Sequence, residues 1–400
     1  MNTPNKQKIK DNMLDTVALR IRYPDFKVSN PNLFTPAFDI QKLSQDSYFS
    51  FGFNRYKTFK QNPTLHDKQL EDYKPRLTGY MRCDDENKPY FDLIVEFSIP
   101  KLLFKQSLQE LSNSDFERVI STLKFQLQKM SVVLTDNAIR QAIVTKAHFG
   151  KNIPLQSPIT SQDAISELYK ADIGRGKHIS IRHYENGGQA LYFYSSSYQV
   201  VFYDKLRDIA TPKNKAVDKD KFKQERMIVE SRAHNQELLR FEARLAKQQK
   251  LNAFISDIIG KKVKAITFEE IFNKDLCRKV MLKVWSEITK NPASQLALKI
   301  DSPADEIFDA IIKSYIEIGK KKAHSLNKAL QDFAIYTLVN RCGSRKFRDK
   351  IEKNWTPKSW QRLSFKIKRT AGILKELAPS HVISDIQITV EKFDKYDWQV

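Results

Sequence analysis

Cysteine is scarce in this chain. The three present in 400 residues, Cys83, Cys277 and Cys342, lie far apart and are odd in number, which argues against a disulfide framework and against zinc-ligand spacing. A reducing compartment, the cytosol, is therefore expected. Long apolar runs are missing too. No stretch approaches the roughly 18 apolar residues of a membrane span, and the polar opening MNTPNKQKIKDNMLDTV has no apolar leader core, so neither export nor a membrane partner is expected. There is no phosphate-binding GxxxxGK[ST] loop, no dinucleotide glycine fingerprint and no GxSxG elbow, which leaves nucleotide hydrolysis unsupported. Histidines never stand at i, i+2: His178 is followed by Ile179 and Ser180, and His183 by Tyr184 and Glu185.

Acidic residues are in deficit as well. The 47 Asp and Glu face 68 Lys and Arg, a formal net charge of +21. So large a surplus favours a polyanionic partner, because each phosphate neutralised releases condensed counterions. Basic ribosomal and membrane-surface proteins share that signal, which names a partner class and no reaction.

The 41% hydrophobic and 11% aromatic content describe a folded chain, and its length suits more than one unit. Residues 15–60 and 78–105 read as strands, in TVALRIRY, SYFSFGF, TGYMRC and YFDLIVEFSI. SNSDFERVISTLKFQLQKMSVVL has the spacing of an amphipathic helix, with Phe116, Val119, Ile120, Leu123 and Leu127 on one side. NAIRQAIVTKAHFGKNI reads as a strand and TSQDAISELYKAD as a short helix capped by Thr160 or Ser161. HISIRHYENGGQALYFYSSSYQVVFYDKL reads as an antiparallel meander turning at ENGG. TPKNKAVDKDKFKQER reads as a solvated loop, and LLRFEARLAKQQKL resumes strand alternation. From about residue 256 every segment has helical period. The expected fold is α+β, a mainly antiparallel sheet covered by helices within residues 1–255, followed by an α-helical region over residues 256–400.

Four constellations stand out. In QVVFYDKLRD, Tyr203 and Lys205 share a strand face at period two. A phenol beside a cation is either a hydrogen-bonded core tyrosine or a nucleophile whose anion the lysine stabilises. In RFEAR, Glu242 lies between Arg240 and Arg244. That pattern is either an ion-paired surface stripe or a carboxylate for a hard divalent cation with arginines gripping phosphate, uses that belong together in phosphodiester chemistry. In VTKAHFGKNI, Lys146 and His148 alternate from an apolar strand, and Gly150 permits a close approach. The last constellation is the basic block VNRCGSRKFRDKIEKNWTPKSWQRLSFKIKRTAGI. Thr356 and Pro357 begin a helix over residues 357–370 whose Lys358, Arg362, Lys366 and Arg369 form one stripe. The helix before Gly343, with Arg345, Lys346 and Arg348 after it, suggests a helix-turn-helix-like arrangement.

These pieces, in this order, resemble the gene II/X family of rolling-circle replication initiators of filamentous phages and related plasmids. MLDTVALRI is similar to the family's first strand, VVFYDKL to its tyrosine-x-lysine strand, and LLRFEARL to its most recognisable element. FAIYTLVNRCG and TPKSWQRLSFKIKRTAGIL are similar to its end. The resemblance implies a metal-dependent endonuclease and strand transferase that nicks one strand of an origin through a 5′-phosphotyrosine and later rejoins it. It implies Tyr203 as nucleophile, with Lys205 lowering its pKa or holding phosphate. Glu242 and His148 would be ligands of magnesium or manganese; at the position of His148 the family more often carries an aspartate. Arg240, Arg244 and Lys146, with the helix bearing Lys358, Arg362, Lys366 and Arg369, would contact origin DNA, duplex and single-stranded, and host helicase and polymerase would follow. Two rivals stay open: a non-catalytic origin-binding initiator or repressor, and an RNA-binding protein favoured by the aromatic strands.

Overall fold

Strict alternation of apolar and polar side chains builds a sheet with two unlike faces. The computed structural model describes residues 11–12, 14–38, 57–64, 66–67, 72–83, 86, 89–173, 178–183, 189–210, 237–298, 302–317, 323–377 and 380–396. The segments SYFSFGF, ENGG and TPKNKAVDKDKFKQER lie outside the described residues. Among the described residues nine strands make one sheet: β1 (Leu14–Arg22), β2 (Lys57–Gln61), β3 (Arg76–Cys83), β4 (Pro89–Ser98), β5 (Ile143–Leu155), β6 (His178–His183), β7 (Gln189–Tyr194), β8 (Tyr198–Asp204) and β9 (Glu237–Leu245). Their order is β6-β7-β8-β9-β5-β1-β4-β3-β2, and every pairing is antiparallel.

One face is hydrocarbon. Phe149, Phe202, Phe241, Ala243, Leu245, Val17, Leu19, Val95 and Leu93 are buried on it. Phe202 and Phe241 stack with ring centres 4.6 Å apart, and the Trp285 ring meets both near edge-on. Each such ring contributes about 1.5–3 kcal/mol by leaving water. The covering helices include α1 (Ile99–Phe104), α2 (Phe116–Lys129), α4 (Ser161–Leu168), α6 (Gln248–Ile259), α8 (Lys274–Thr289) and α14 (His381–Lys392). Helix α2 buries Val119, Ile120, Leu123 and Leu127, as its spacing predicts. Helix α4 starts at a reciprocal capping box between Thr160 and Asp163.

The stretch expected as one long strand begins differently. Asp136–Arg140 forms a short helix, α3, because the Thr135 side chain accepts from the Ala138 amide and caps it; strand β5 starts only at Ile143. Helix α5 (Lys205–Ala210) begins at the end of β8, so Lys205 opens a helix rather than continuing the strand.

Helices on both sides of residue 255 share the sheet's core, since Ile266, Phe268, Cys277, Trp285, Ile383, Ile386 and Phe393 pack into it. A second core joins α9 (Pro292–Leu298), α10 (Ala304–Glu317), α11 (Ala323–Cys342), α12 (Ser344–Asn354) and α13 (Pro357–Ile373) through Leu296, Ile311, Ile335, Val339, Ile367 and Leu374. Among the described residues no helix is long and apolar enough to cross a membrane.

Candidate active site

The second face of the sheet is polar, and its pairing register lines up the chemistry. Tyr203 on β8 stands opposite Arg240 on β9, which stands opposite Asn152 on β5. One pleat along, Glu242 lies between Val201 and Gly150. One further, Arg244 faces His148, which faces Thr16 on β1. The β1–β5 register slips between Leu14 and Thr16, and that irregularity re-aims Asp15 toward the row above.

Glu242 is the hub. Tyr203 donates its hydroxyl to Glu242 Oε1 at 2.7 Å, and Arg240 Nε donates to the same oxygen at 3.2 Å. Arg244 Nε donates to Oε2 at 2.7 Å. Arg240 also donates Nη2 to Asp15 Oδ2 at 2.6 Å and Nη1 to Asn152 Oδ1 at 3.0 Å. Lys205 Nζ lies 3.5 Å from the Tyr203 hydroxyl and 5.6 Å from its ring centre. Tyr203, Lys205, Arg240 and Glu242 are buried, while Arg244 keeps 27% of its side chain exposed. Arg240, expected at the DNA backbone, is an interior cation; Arg244 is the guanidinium within reach of solvent.

Gly150 makes this packing possible. A Cβ there would stand 2.2 Å from Arg240 Nη2, so the close approach expected at Gly150 is that of a guanidinium. Behind Arg240 lies a second buried pair. Lys151 Nζ donates to Glu110 Oε2 at 2.7 Å and to the Asp394 carbonyl at 2.6 Å. The Asn152 and Tyr396 amides donate to the same carboxylate, to Oε1 at 2.6 Å and Oε2 at 2.8 Å.

The charges shape one another. Burial pushes the Tyr203 phenol well above its ordinary pKa, and Glu242 and Asp208 push the same way. With Glu242 in place the phenol is therefore held protonated, and Lys205 at 3.5 Å does not reverse the net rise. Lys205 itself is lowered to about 8, by burial first and Arg240 second. Burial would raise Glu242, but Arg244, Arg240 and Lys205 hold it well below the usual carboxylate range. Burial, with Arg244 beside it, lowers His148 to about 3 and keeps the imidazole neutral.

The residues as arranged do not fit a divalent cation. Both Glu242 oxygens face donors, and Arg240 stands between Glu242 and Asp15, where a cation bridging the two carboxylates would have to sit. His148 lies next to this cluster without completing a third ligand: among the described residues no group of three or more His, Cys, Asp or Glu is placed to hold a metal ion.

Other site residues separate. Lys146 pairs with Glu96 at 2.8 Å on the open face. Lys358, Arg362 and Lys366 are exposed on α13, which runs to Ile373. Arg369, expected on the same cationic stripe, clamps the buried Asp332, with Nε at 3.2 Å, and Tyr315 donates to that carboxylate at 2.8 Å. The turn cations are also committed: Arg345 and Arg348 bind Asp172 at 3.2 and 2.5 Å, and Lys346 lies over the Tyr169 ring at 5.0 Å. Of the neighbouring tyrosines, Tyr198 sits on the hydrocarbon side, 3.4 Å from Glu287, and Tyr184 lies outside the described residues. Sequence reading missed Asp15, Glu110, Lys151 and Asn152. Asp15 alone left a signal there, a carboxylate inside the apolar strand MLDTVALRI.

No family model matches the chain, and no curated protein matches it by sequence. Among solved structures the chain is similar to a rolling circle replication initiator protein from Geobacillus stearothermophilus, at 12% identity over 62% of this chain and 78% of that one, with a TM-score of 0.24, a likeness too slight to bear on activity.

Proposed function

We propose that the chain nicks and rejoins one DNA strand at a replication origin through a covalent 5′-phosphotyrosine, and so starts rolling-circle replication of a phage or plasmid. The observation that supports this most is the Tyr203 hydroxyl held on a carboxylate, between a lysine and two arginines, on the polar face of the sheet.

In this reading Tyr203 Oη attacks the scissile phosphorus, the Oη–P bond forms, and the P–O3′ bond breaks, the departing oxygen taking a proton from water to leave a 3′-hydroxyl. The phenolic proton passes to Glu242 Oε1, already its hydrogen-bond acceptor. While Arg240 and Arg244 face it, Glu242 is a weak base. A phosphate that draws Arg244 outward weakens that hold, so proton transfer becomes easier when substrate arrives. Lys205 stabilises the phenolate and the charge gathering on the phosphoryl oxygens. The ester conserves the energy of the broken backbone bond, so rejoining needs no nucleotide.

Incubation of the protein with a supercoiled origin plasmid tests this. The expected product is an open circle carrying covalent protein, with the adduct mapped to the peptide containing Tyr203; Tyr203→Phe should bind DNA and form none. Binding without any adduct from the native protein would favour the non-catalytic initiator.

A further inference from the structure

Beyond the site the polar face continues across β1, β4 and β3, where Arg20, Arg76, Tyr80 and Glu96 are half-buried and Arg22 is exposed. Along β3 and β4 buried residues alternate with half-buried ones, except that Asp92 is buried as well. The buried set, Leu77, Met81, Phe91, Leu93, Val95 and Phe97, enters the core. Register sets the other set side by side: Ala18, Glu96 and Arg76 in one row, Arg20, Ile94 and Thr78 in the next, Arg22, Asp92 and Tyr80 after that, and then Tyr90 with Arg82. Four arginines and two tyrosines thus stand in these rows against two acids. Both acids are occupied, Glu96 by Lys146 at 2.8 Å and Asp92 by Arg22 at 3.2 Å.

Two arginine–tyrosine pairs mark this face. The guanidinium carbon of Arg22 lies 4.3 Å from the Tyr90 ring centre, and Asp92 fixes it there through Nε. Arg82 lies 5.0 Å from the Tyr80 ring centre. A duplex keeps its bases stacked on one another, whereas a single strand offers base faces to aromatic rings and guanidinium planes.

We infer that this face, from Arg244 past His148 and Lys146 to the Arg22–Tyr90 and Arg82–Tyr80 pairs, is a track for single-stranded DNA. Phosphates lie along Arg20, Arg76 and Lys146, and bases stack at the two tyrosines. The inference rests on the nicking reading for its choice of DNA. From β8 to β3 is five strand spacings, roughly 24 Å; at no less than about 3.4 Å per nucleotide the track holds up to about seven nucleotides. It delivers the strand to Tyr203 in one direction across the sheet.

Fluorescence anisotropy with labelled oligo(dT) of graded length and full-length protein tests the track. Affinity should climb with length up to about seven nucleotides beyond the site. Tyr80→Ala with Tyr90→Ala should weaken binding by at least roughly tenfold, and Tyr80→Phe with Tyr90→Phe should restore it because the ring face is kept. Arg20→Glu with Arg76→Glu should lower the salt dependence by about two charges. Matching melting temperatures keep misfolding out of the comparison. Unchanged affinity and salt slope in both variants would overturn the track, as would equally tight oligo(U) binding that ignores these substitutions. The two readings fail separately. If the native protein forms the Tyr203 adduct while the track variants bind normally, the track falls and nicking stands. If the variants lose binding and no adduct ever forms, the track stands and nicking falls.

Discussion

Tyr203 and Glu242 share a hydrogen bond of 2.7 Å within a buried cluster, and the phenol is thereby kept in its protonated form until something competes for the carboxylate. Glu242→Gln keeps the shape but cannot take a proton, and it strips Arg240 and Arg244 of their counter-charge. Single-turnover nicking should fall by about 10²–10⁴-fold with oligonucleotide binding retained, and the melting temperature should drop because two guanidiniums lose their anion. Nicking at the native rate by this variant would remove Glu242 from the proton path.

Lys205 carries its charge only below about pH 8. Its folded-state pKa is depressed, so the cation beside Tyr203 is present below that value and is lost as pH rises through it. The nicking rate should therefore show a descending limb centred near pH 8, and Lys205→Arg should move that limb upward, since a guanidinium stays charged. A profile that is flat through this region in the native protein would contradict the role given to the ammonium.

Gly150→Ala is the sharpest packing test. The added methyl would meet the Arg240 guanidinium, which Asp15, Asn152 and Glu242 hold from three sides. We expect a loss of about 1–3 kcal/mol in urea unfolding, together with nicking reduced more than DNA binding.

His148 ties stability to pH. Its folded pKa of about 3 lies below the ordinary 6.5, so the unfolded chain takes up the proton first. Its contribution is whole above pH 6.5 and drains away as pH falls from there toward 3. The slope is at most about 1.4 kcal/mol per pH unit, and the partial exposure of the ring reduces it. Denaturation midpoints between pH 7 and pH 5 should fall less in His148→Leu than in the native protein; equal slopes would remove His148 as their source.

Magnesium or manganese ions should leave the melting temperature of the DNA-free protein nearly unchanged at millimolar concentration, because a ligand stabilises only where it binds the folded state and Arg240 stands between Asp15 and Glu242. A rise of several degrees would show that the guanidinium yields its place to a cation.

Much of this was legible in the chain. Period-two alternation in LLRFEARL and VVFYDKL located the two strands that carry Tyr203 and Glu242, and antiparallel pairing made their polar residues neighbours. Why those charges are buried was not legible, because the partners of Arg240 come from residues 88 and 225 positions away, and no local pattern encodes such distances. The basic block misled in a similar way. Arg345, Arg348 and Arg369 look like free cations in sequence, but Asp172 and Asp332, each far off in the chain, claim them.

The bond from the Tyr396 amide to Glu110 spans 286 positions, and that from Arg240 to Asp15 spans 225. Contacts this distant close long loops, each at an entropic cost that grows slowly with length. The cluster around Arg240 and Glu110 thus joins segments from both ends of the chain. A chain cut before Asp394 would lose the Asp394 carbonyl from Lys151 and the Tyr396 amide from Glu110, the buried pair packed behind Arg240.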